Sequence, residues 1–376
     1  MASKYELTIS TEYVSNWTFV EAIRELFQNA IDNEITNPEN EMYFNFSEEE
    51  GILRVGNKTS CLTLDTLLLG SSSKRDDTKT IGKHGEGYKI AFMVLLREGK
   101  KVTVYNYGSK EIWETKLVKS RRFANKLVPC IFVNKTAIWK KVPSHDLMIE
   151  IEGITAEEYS QIVESNLNLQ EDLGKVFESE GKGRILLDKR YAGRVYVRGL
   201  YISSNINFMC GYDFAPDVIN LDRDRKLIDS FDLSWQSSQL WNSIVSQSSA
   251  DEARECALNF IENNAIDTRY IATVFPDRIH KELKNKALEN FITTYGEDSV
   301  PVETQEELTY AMEQGRKPVM VKETLAKIIK GADSYEEVKV VVKPVKEELR
   351  EWFESGVSEK LTDEEIAWFE KIMNRL

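Results

Sequence analysis

The sequence predicts an α+β protein: helices layered on one face of a β-sheet, then a smaller α/β region, then a helical C-terminal region. Three observations predict it. An amphipathic helix pattern opens the chain, short alternating or β-branched segments follow with mostly brief connections, and a second strand group gives way to a charged helical end. A chain of 376 residues exceeds what one core ordinarily organises. Breaks in the pattern divide it at 1–155, 156–300 and 301–376.

Composition narrows the class. With 41% apolar and 30% charged residues, the chain is globular rather than disordered or fibrous. A net charge of −13 argues against broad, sequence-independent capture of nucleic acid, which needs many cations against phosphates. A local basic groove remains compatible with it. The longest apolar run, Ile90 to Leu96, is too short to cross a bilayer. The opening MASKYELTIS has no apolar core of a secretory signal, so a cytoplasmic location is expected. Cys61, Cys130, Cys210 and Cys256 form no C-x-x-C pair and the three histidines are scattered. Reduced, mostly buried thiols are expected rather than a zinc site.

Residues 17–35 (WTFVEAIRELFQNAIDNEI) read as one helix. At 100° per residue, Phe19, Ile23, Leu26, Phe27 and Ala30 share one side, while Glu25, Asn29 and Asp32 cluster opposite within about 80° of arc. Strands are expected at Met42–Phe46 and Ile52–Val55. A polar loop from Gly70 to Thr80 then leads to a helix ending near Gly99, and KVTVYNYG, EIWETKLV and HDLMIEIEG read as further strands. Helical periodicity restarts in ITAEEYSQIVESNLNL, with Thr155 as N-cap. GRILLD and GRVYVRGLYI form a second strand group ahead of the LDRDR stretch at Leu221–Arg225. From Phe231 to Tyr295 the pattern is mainly helical, and Trp235 and Trp241 suit core packing better than base stacking. Beyond Pro301 it is charged and helical, apart from the β-branched run VKVVVKPV.

Three stretches could carry chemistry. In IGKHGEGYKIAFMVLLREG, Gly82, Gly85 and Gly87 are spaced G-x-x-G-x-G and run into a helix pattern. Unpaired N–H groups at a helix N-terminus, approached closely through glycines, suit a phosphate. The same glycines would equally serve a flexible turn before a buried helix. The stretch is neither a P-loop nor a dinucleotide fingerprint, since no G-x-x-x-x-G-K-[ST] occurs and position 90 is Ile90. Glu25 and Asn29, at i and i+4, could orient a water and offer an amide oxygen to Mg²⁺, or could belong to a solvated face. Gly70-Ser71-Ser72-Ser73-Lys74 has hydroxyls and an ammonium suited to a phosphate chain, or is a polar surface loop.

In order, E-x-x-x-N-x-x-D, a strand and loop, G-[ST]-S-[SK], and G-x-x-G-x-G opening a helix resemble the GHKL ATPase superfamily. These Bergerat-fold proteins include DNA gyrase, the Hsp90 chaperone, sensor histidine kinases and the MutL mismatch-repair ATPase; the layout is nearest to the MutL- and Hsp90-like members. The resemblance covers roughly residues 10–155. It implies ATP and Mg²⁺ held beneath a mobile lid. Glu25 matches the general base, Asn29 the Mg²⁺ ligand, and Asp32 the second acidic position of that helix. Ser72, Ser73 and Lys74 match the lid, while Gly82, Gly85, Glu86, Gly87 and Lys89 fall in the box that closes over the phosphates. One departure is plain: where the family has D-x-G-x-G, its Asp reading adenine, this chain has Gly56-Asn57. Asn57, or Asp65, would then read the base.

YVRGLYI and the later VINLDRDR resemble the transducer domain that brings a basic side chain to the γ-phosphate. Arg223 or Arg225 would be the match, or the stretch is a salt-bridged turn. The resemblance implies slow ATP hydrolysis that couples lid closure to conformational change or to formation of a homodimer. The alternative is a nucleotide-gated module whose C-terminal region recruits a protein partner.

Overall fold

The computed structural model describes residues 2–64, 87–135, 145–219, 230–273, 281–335 and 345–373. They fall into two compact units, Met1–His280 and Lys281–Leu376. The α+β class and the helical C-terminal region are as expected.

The first unit is built on a seven-stranded sheet. Its strands are β1 (Ser3–Glu6), β2 (Met42–Ser47), β3 (Ile52–Asn57), β4 (Lys101–Asn106), β5 (Glu111–Lys119), β6 (Leu127–Lys135) and β7 (Leu147–Glu152). Their order is β1-β6-β5-β4-β7-β3-β2, and every neighbouring pair is antiparallel. Alternation decides which face is covered. In β7, Leu147, Ile149 and Ile151 are buried while Glu150 and Glu152 face outward, where Arg54 on β3 pairs across the strands with Glu150 at 2.9 Å. Helices α1 (Phe19–Thr36) and α2 (Gly87–Arg97) pack against each other and against the sheet.

α1 starts where Thr18 and Glu21 form a capping box. The Glu21 carboxylate accepts from Thr18 N at 2.7 Å and the Thr18 hydroxyl accepts from Val20 N. Its predicted apolar side, Phe19, Ile23, Leu26, Phe27 and Ala30, is buried. α2 buries Lys89 through Leu95, against a core that also holds Trp113. β1 and β6 were not expected from the sequence. Pro129 reads as a break, yet it lies just past the β1 register, which runs Ser3↔Val133 to Glu6↔Cys130, so its missing N–H falls outside that ladder.

A second sheet in the same unit contains β8 (Val176–Ser179), β9 (Gly183–Leu186), β10 (Arg194–Val197), β11 (Leu200–Ser204) and β12 (Gly211–Phe214), ordered β11-β10-β12-β9-β8. Among the described residues of this unit, parallel pairing is confined to β10 and β12. GRVYVRGLYI is a hairpin, not one strand: Arg198 (φ 49°) and Gly199 (φ 79°) are both left-handed, as a two-residue type I′ turn requires. α3 (Ala156–Glu164) begins at the predicted Thr155 cap, and α4 (Ser230–Val245), α5 (Asp251–Glu262) and α6 (Tyr270–Thr273) follow. Asp267 ties α4 to β12. It accepts from the backbone N–H of Met209 and Cys210 and from the Tyr212 hydroxyl at 2.7 Å, and Trp241 donates to that hydroxyl at 2.9 Å. Burial pushes the Asp267 carboxyl up, and these donors oppose the shift. Trp241 is therefore a core residue, as read from the sequence.

The second unit contains α7 (Lys281–Tyr295), β13 (Ser299–Val302), α8 (Gln305–Glu313), β14 (Lys317–Met320), α9 (Glu323–Lys330), α10 (Val345–Trp352) and α11 (Asp363–Met373). β13 and β14 pair in parallel across α8, a small β-α-β unit. Residues 336–344, most of the VKVVVKPV run, lie outside the described residues. Among the described residues, no helix is long and apolar enough to cross a membrane, and all four cysteines are free.

Two substitutions test these contacts. A Cβ at Gly56 would lie 2.0 Å from the Leu147 carbonyl and 2.7 Å from the Tyr43 hydroxyl that donates to it. Gly56→Ala is expected to destabilise the protein by about 1–3 kcal/mol in urea denaturation. Tyr212→Phe, which removes one donor from buried Asp267, is expected to cost about 1–3 kcal/mol in the same assay.

Candidate functional site

An amphipathic helix ordinarily gives its polar side to water. α1 does not. Glu25 is 4% exposed and Asp32 0%, so these two carboxylates do not lie on a solvated face, while Asn29 is half-buried. The cover is α2. Its first residue, Gly87, comes so close that a Cβ there would lie 2.9 Å from Asn29 Nδ2 and 3.1 Å from Glu25 Oε2. Glycine at this position is a matter of close approach, not of turn flexibility.

A carboxylate taken out of water needs compensation. Arg24, itself buried, donates from Nη2 to Glu25 Oε1 at 3.4 Å and from Nη1 to the Tyr201 carbonyl of β11 at 3.2 Å. Its guanidinium lies 5.3 Å from the centre of the Trp17 ring. One side chain thus joins the Glu25 carboxylate to the second sheet. Arg24 leans on Oε1, while Oε2 is the oxygen turned toward Gly87.

Asp32 lies near the α2 residue that follows Gly87. Burial, and then the Asp32 charge, push the Tyr88 hydroxyl well above its ordinary range, which keeps it a neutral phenol. Lys89, an unusual residue to find buried, lies in the opening turn of α2. Glu25 and Asn29 of α1 therefore meet Gly87, and Asp32 lies near Tyr88, where α1 and α2 come together.

Asn57, at the end of β3, is buried and fixed. Its Nδ2 donates to the carbonyls of Ala30 and Asn40, both at 2.8 Å. Two carbonyl acceptors demand an NH₂ group and so set the orientation of the carboxamide. An Asp here would turn acceptor against acceptor. Among the described residues, no bond to Asn57 Oδ1 is seen. Nearby, Asn106 holds the segment after β3 by exchanging two bonds with the Leu62 backbone, at 2.9 and 2.8 Å.

Ser72, Ser73, Lys74, Gly82, Gly85, Glu86, Arg223 and Arg225 lie outside the described residues, as do Asp65 and His84. Among the described residues, no cluster of three or more His, Cys, Asp or Glu side chains could hold a metal. Arg24, Tyr88 and Asn106 were missed at the level of sequence. The only signal for Arg24 was its place beside Glu25, and neighbours in a helix sequence do not share a face.

No family model matches the chain. An uncharacterized protein of Mycoplasma pneumoniae is 26% identical over 227 residues, covering 57% of this chain and 87% of that protein. Among solved structures, the ATPase region of Saccharomyces cerevisiae topoisomerase II aligns at 12% identity and a TM-score of 0.30, over 49% of this chain and 62% of that one. The same region bound to ICRF-187 (dexrazoxane) aligns at 13% and 0.29, over 50% and 64%. The chain thus spans less than two thirds of either structure.

The Arg24–Glu25 contact is testable through stability. Arg24→Met leaves a buried carboxylate beside an apolar side chain and is expected to cost about 3 kcal/mol in urea denaturation. Adding Glu25→Gln is expected to recover much of that loss, a non-additivity of at least about 1 kcal/mol.

Proposed function

We propose that this chain binds Mg·ATP over the opening turn of α2 and hydrolyses it slowly to ADP and phosphate. One observation carries the reading: Gly87 abuts both Glu25 Oε2 and Asn29 Nδ2. A general base, a hard-cation ligand and helix N–H groups meet at a spot that a single methyl group would fill. Backbone N–H groups and the helix dipole at that turn favour the phosphate oxygens. Gly82, Gly85 and Glu86, with Ser72, Ser73 and Lys74, would complete the phosphate side, and Arg223 or Arg225 would reach it from the second domain.

The donor set fits Mg²⁺ as a partner of phosphate rather than of a protein cage. Asn29, with Nδ2 toward Gly87, would offer Oδ1. When bound, the ion neutralises charge on the β- and γ-phosphates. Glu25 takes the proton from the attacking water as its oxygen bonds to the γ-phosphorus and the bond to ADP breaks. Arg24 holds the carboxylate through Oε1. Asp32, with Tyr88, would line the nucleotide side, and Asn57 Oδ1 would accept from the adenine amino group.

The tie from Arg24 to the Tyr201 carbonyl supplies a route by which the second sheet responds to events at Glu25. In that reading residues 1–155 bind nucleotide, 156–300 transmit, and 301–376 carry contacts to a partner or a second copy.

Calorimetry with Mg·ATP and a phosphate-release assay test the proposal. Glu25→Gln is expected to lower phosphate release by about 10²- to 10⁴-fold with ATP affinity nearly unchanged. Equal, near-background release from both proteins would remove hydrolysis from the reading, and no heat of binding at millimolar ATP would remove the nucleotide. ITP, which presents an acceptor where ATP presents an amino group, is expected to bind at least about tenfold more weakly.

A further inference from the structure

The chain is acidic overall, but the hairpin that joins β5 to β6 is not. Lys116, Lys119, Arg121, Arg122 and Lys126 lie on it, and Lys4 of β1 lies beside it. Among the described residues, Glu6 and Glu114 are the carboxylates paired with these cations. Both are engaged: Glu6 pairs with Lys4 at 2.8 Å and accepts from the Ser120 hydroxyl at 2.9 Å, and Glu114 pairs with Lys116 at 2.9 Å. Lys119, Arg121 and Lys126 are exposed and have no carboxylate partner among the described residues. Arg122 is exposed and its guanidinium lies 5.4 Å from the Phe123 ring centre.

The tip is rigid. A short 3₁₀ turn, Arg121–Phe123, leads into Ala124 and Asn125, both left-handed at φ 51° and 61°. Ser120 N donates to the Lys126 carbonyl at 3.0 Å and Asn125 N to the Ser120 carbonyl at 2.9 Å. Buried Ser120 fastens the turn to Glu6 of β1. Lys119, Arg121, Arg122 and Lys126 are thus presented on a fixed two-stranded ribbon, at little cost in backbone ordering on binding.

We infer that this hairpin tip docks on the phosphate backbone of duplex DNA. Uncompensated, closely spaced cations on an acidic protein fit a polyanion. The charge of −13 on the whole chain acts weakly beyond about 10 Å at ordinary salt. A two-stranded ribbon fits a B-form major groove about 12 Å wide, whereas the deep, narrow major groove of duplex RNA excludes it. Single strands call for exposed rings on which bases stack, and Phe123, the one ring of the turn, is partly buried beside Arg122. A lipid surface calls for an apolar wedge, and among the described residues Leu127, 44% exposed, is the one large apolar side chain exposed at the tip.

Anisotropy of a short labelled DNA duplex tests this in the absence of nucleotide, so the outcome is independent of ATP binding. The full chain is compared with the quadruple variant Lys119→Gln/Arg121→Gln/Arg122→Gln/Lys126→Gln, whose exposed positions leave the fold intact, as thermal melting checks. Four phosphate contacts give a log–log salt slope of about −3.6, so wild-type affinity is expected to fall about 150-fold between about 50 and 200 mM salt. The variant is expected to lose at least about tenfold in affinity at the lower salt and most of the slope. Absence of wild-type binding at the lower salt would overturn the proposal, as would equal binding by a folded variant. Capture by phosphatidylserine vesicles with no binding to DNA would also overturn it, in favour of a membrane surface.

Discussion

The contact on which the candidate site depends is the approach of Gly87 to α1. It brings the start of one helix onto the polar side of another, with no room for a side chain between them. Glu25 lies against that approach and is buried, which gives it a reduced dielectric and strengthens every charge interaction it makes. Without it Glu25 would be one of many surface carboxylates in an acidic chain.

Burial of Glu25 imposes a second constraint. A carboxylate taken out of water needs an opposing charge, and Arg24 supplies it at 3.4 Å. Because the same guanidinium also reaches the Tyr201 carbonyl, the support for the carboxylate comes partly from the hairpin β10–β11. That hairpin is held in turn by Gly199 N donating to Asp213 Oδ1 at 2.6 Å. The second sheet is thereby part of the physical setting of Glu25, not an appendage to it.

Much of the first unit was legible in the sequence. The periodicity of α1, the cap at Thr155 and the alternation of β7 each follow from side-chain chemistry acting within a few residues. What was not legible had specific causes. β6 was hidden by Pro129, which disrupts a strand pattern without disrupting this pairing. The turn at Arg198-Gly199 divides the strand group GRVYVRGLYI into β10 and β11, a division that depends on both residues being left-handed. The parallel pair β13–β14 lies in a charged region whose strands are four residues long, too short to show a period.

By itself the sequence determined the α+β class, the helix that carries Glu25, Asn29 and Asp32, and the glycine that opens α2, because these depend on local propensity and spacing. It could not determine whether the polar side of that helix faced water. That depends on what packs there, and the packing residue comes from far along the chain. Nor could it assign Asn57: the Ala30 and Asn40 carbonyls that fix its amide are brought to it only by the fold. The tertiary structure decided these points because desolvation and hydrogen-bond geometry are properties of a neighbourhood, and the neighbours here are not neighbours in sequence.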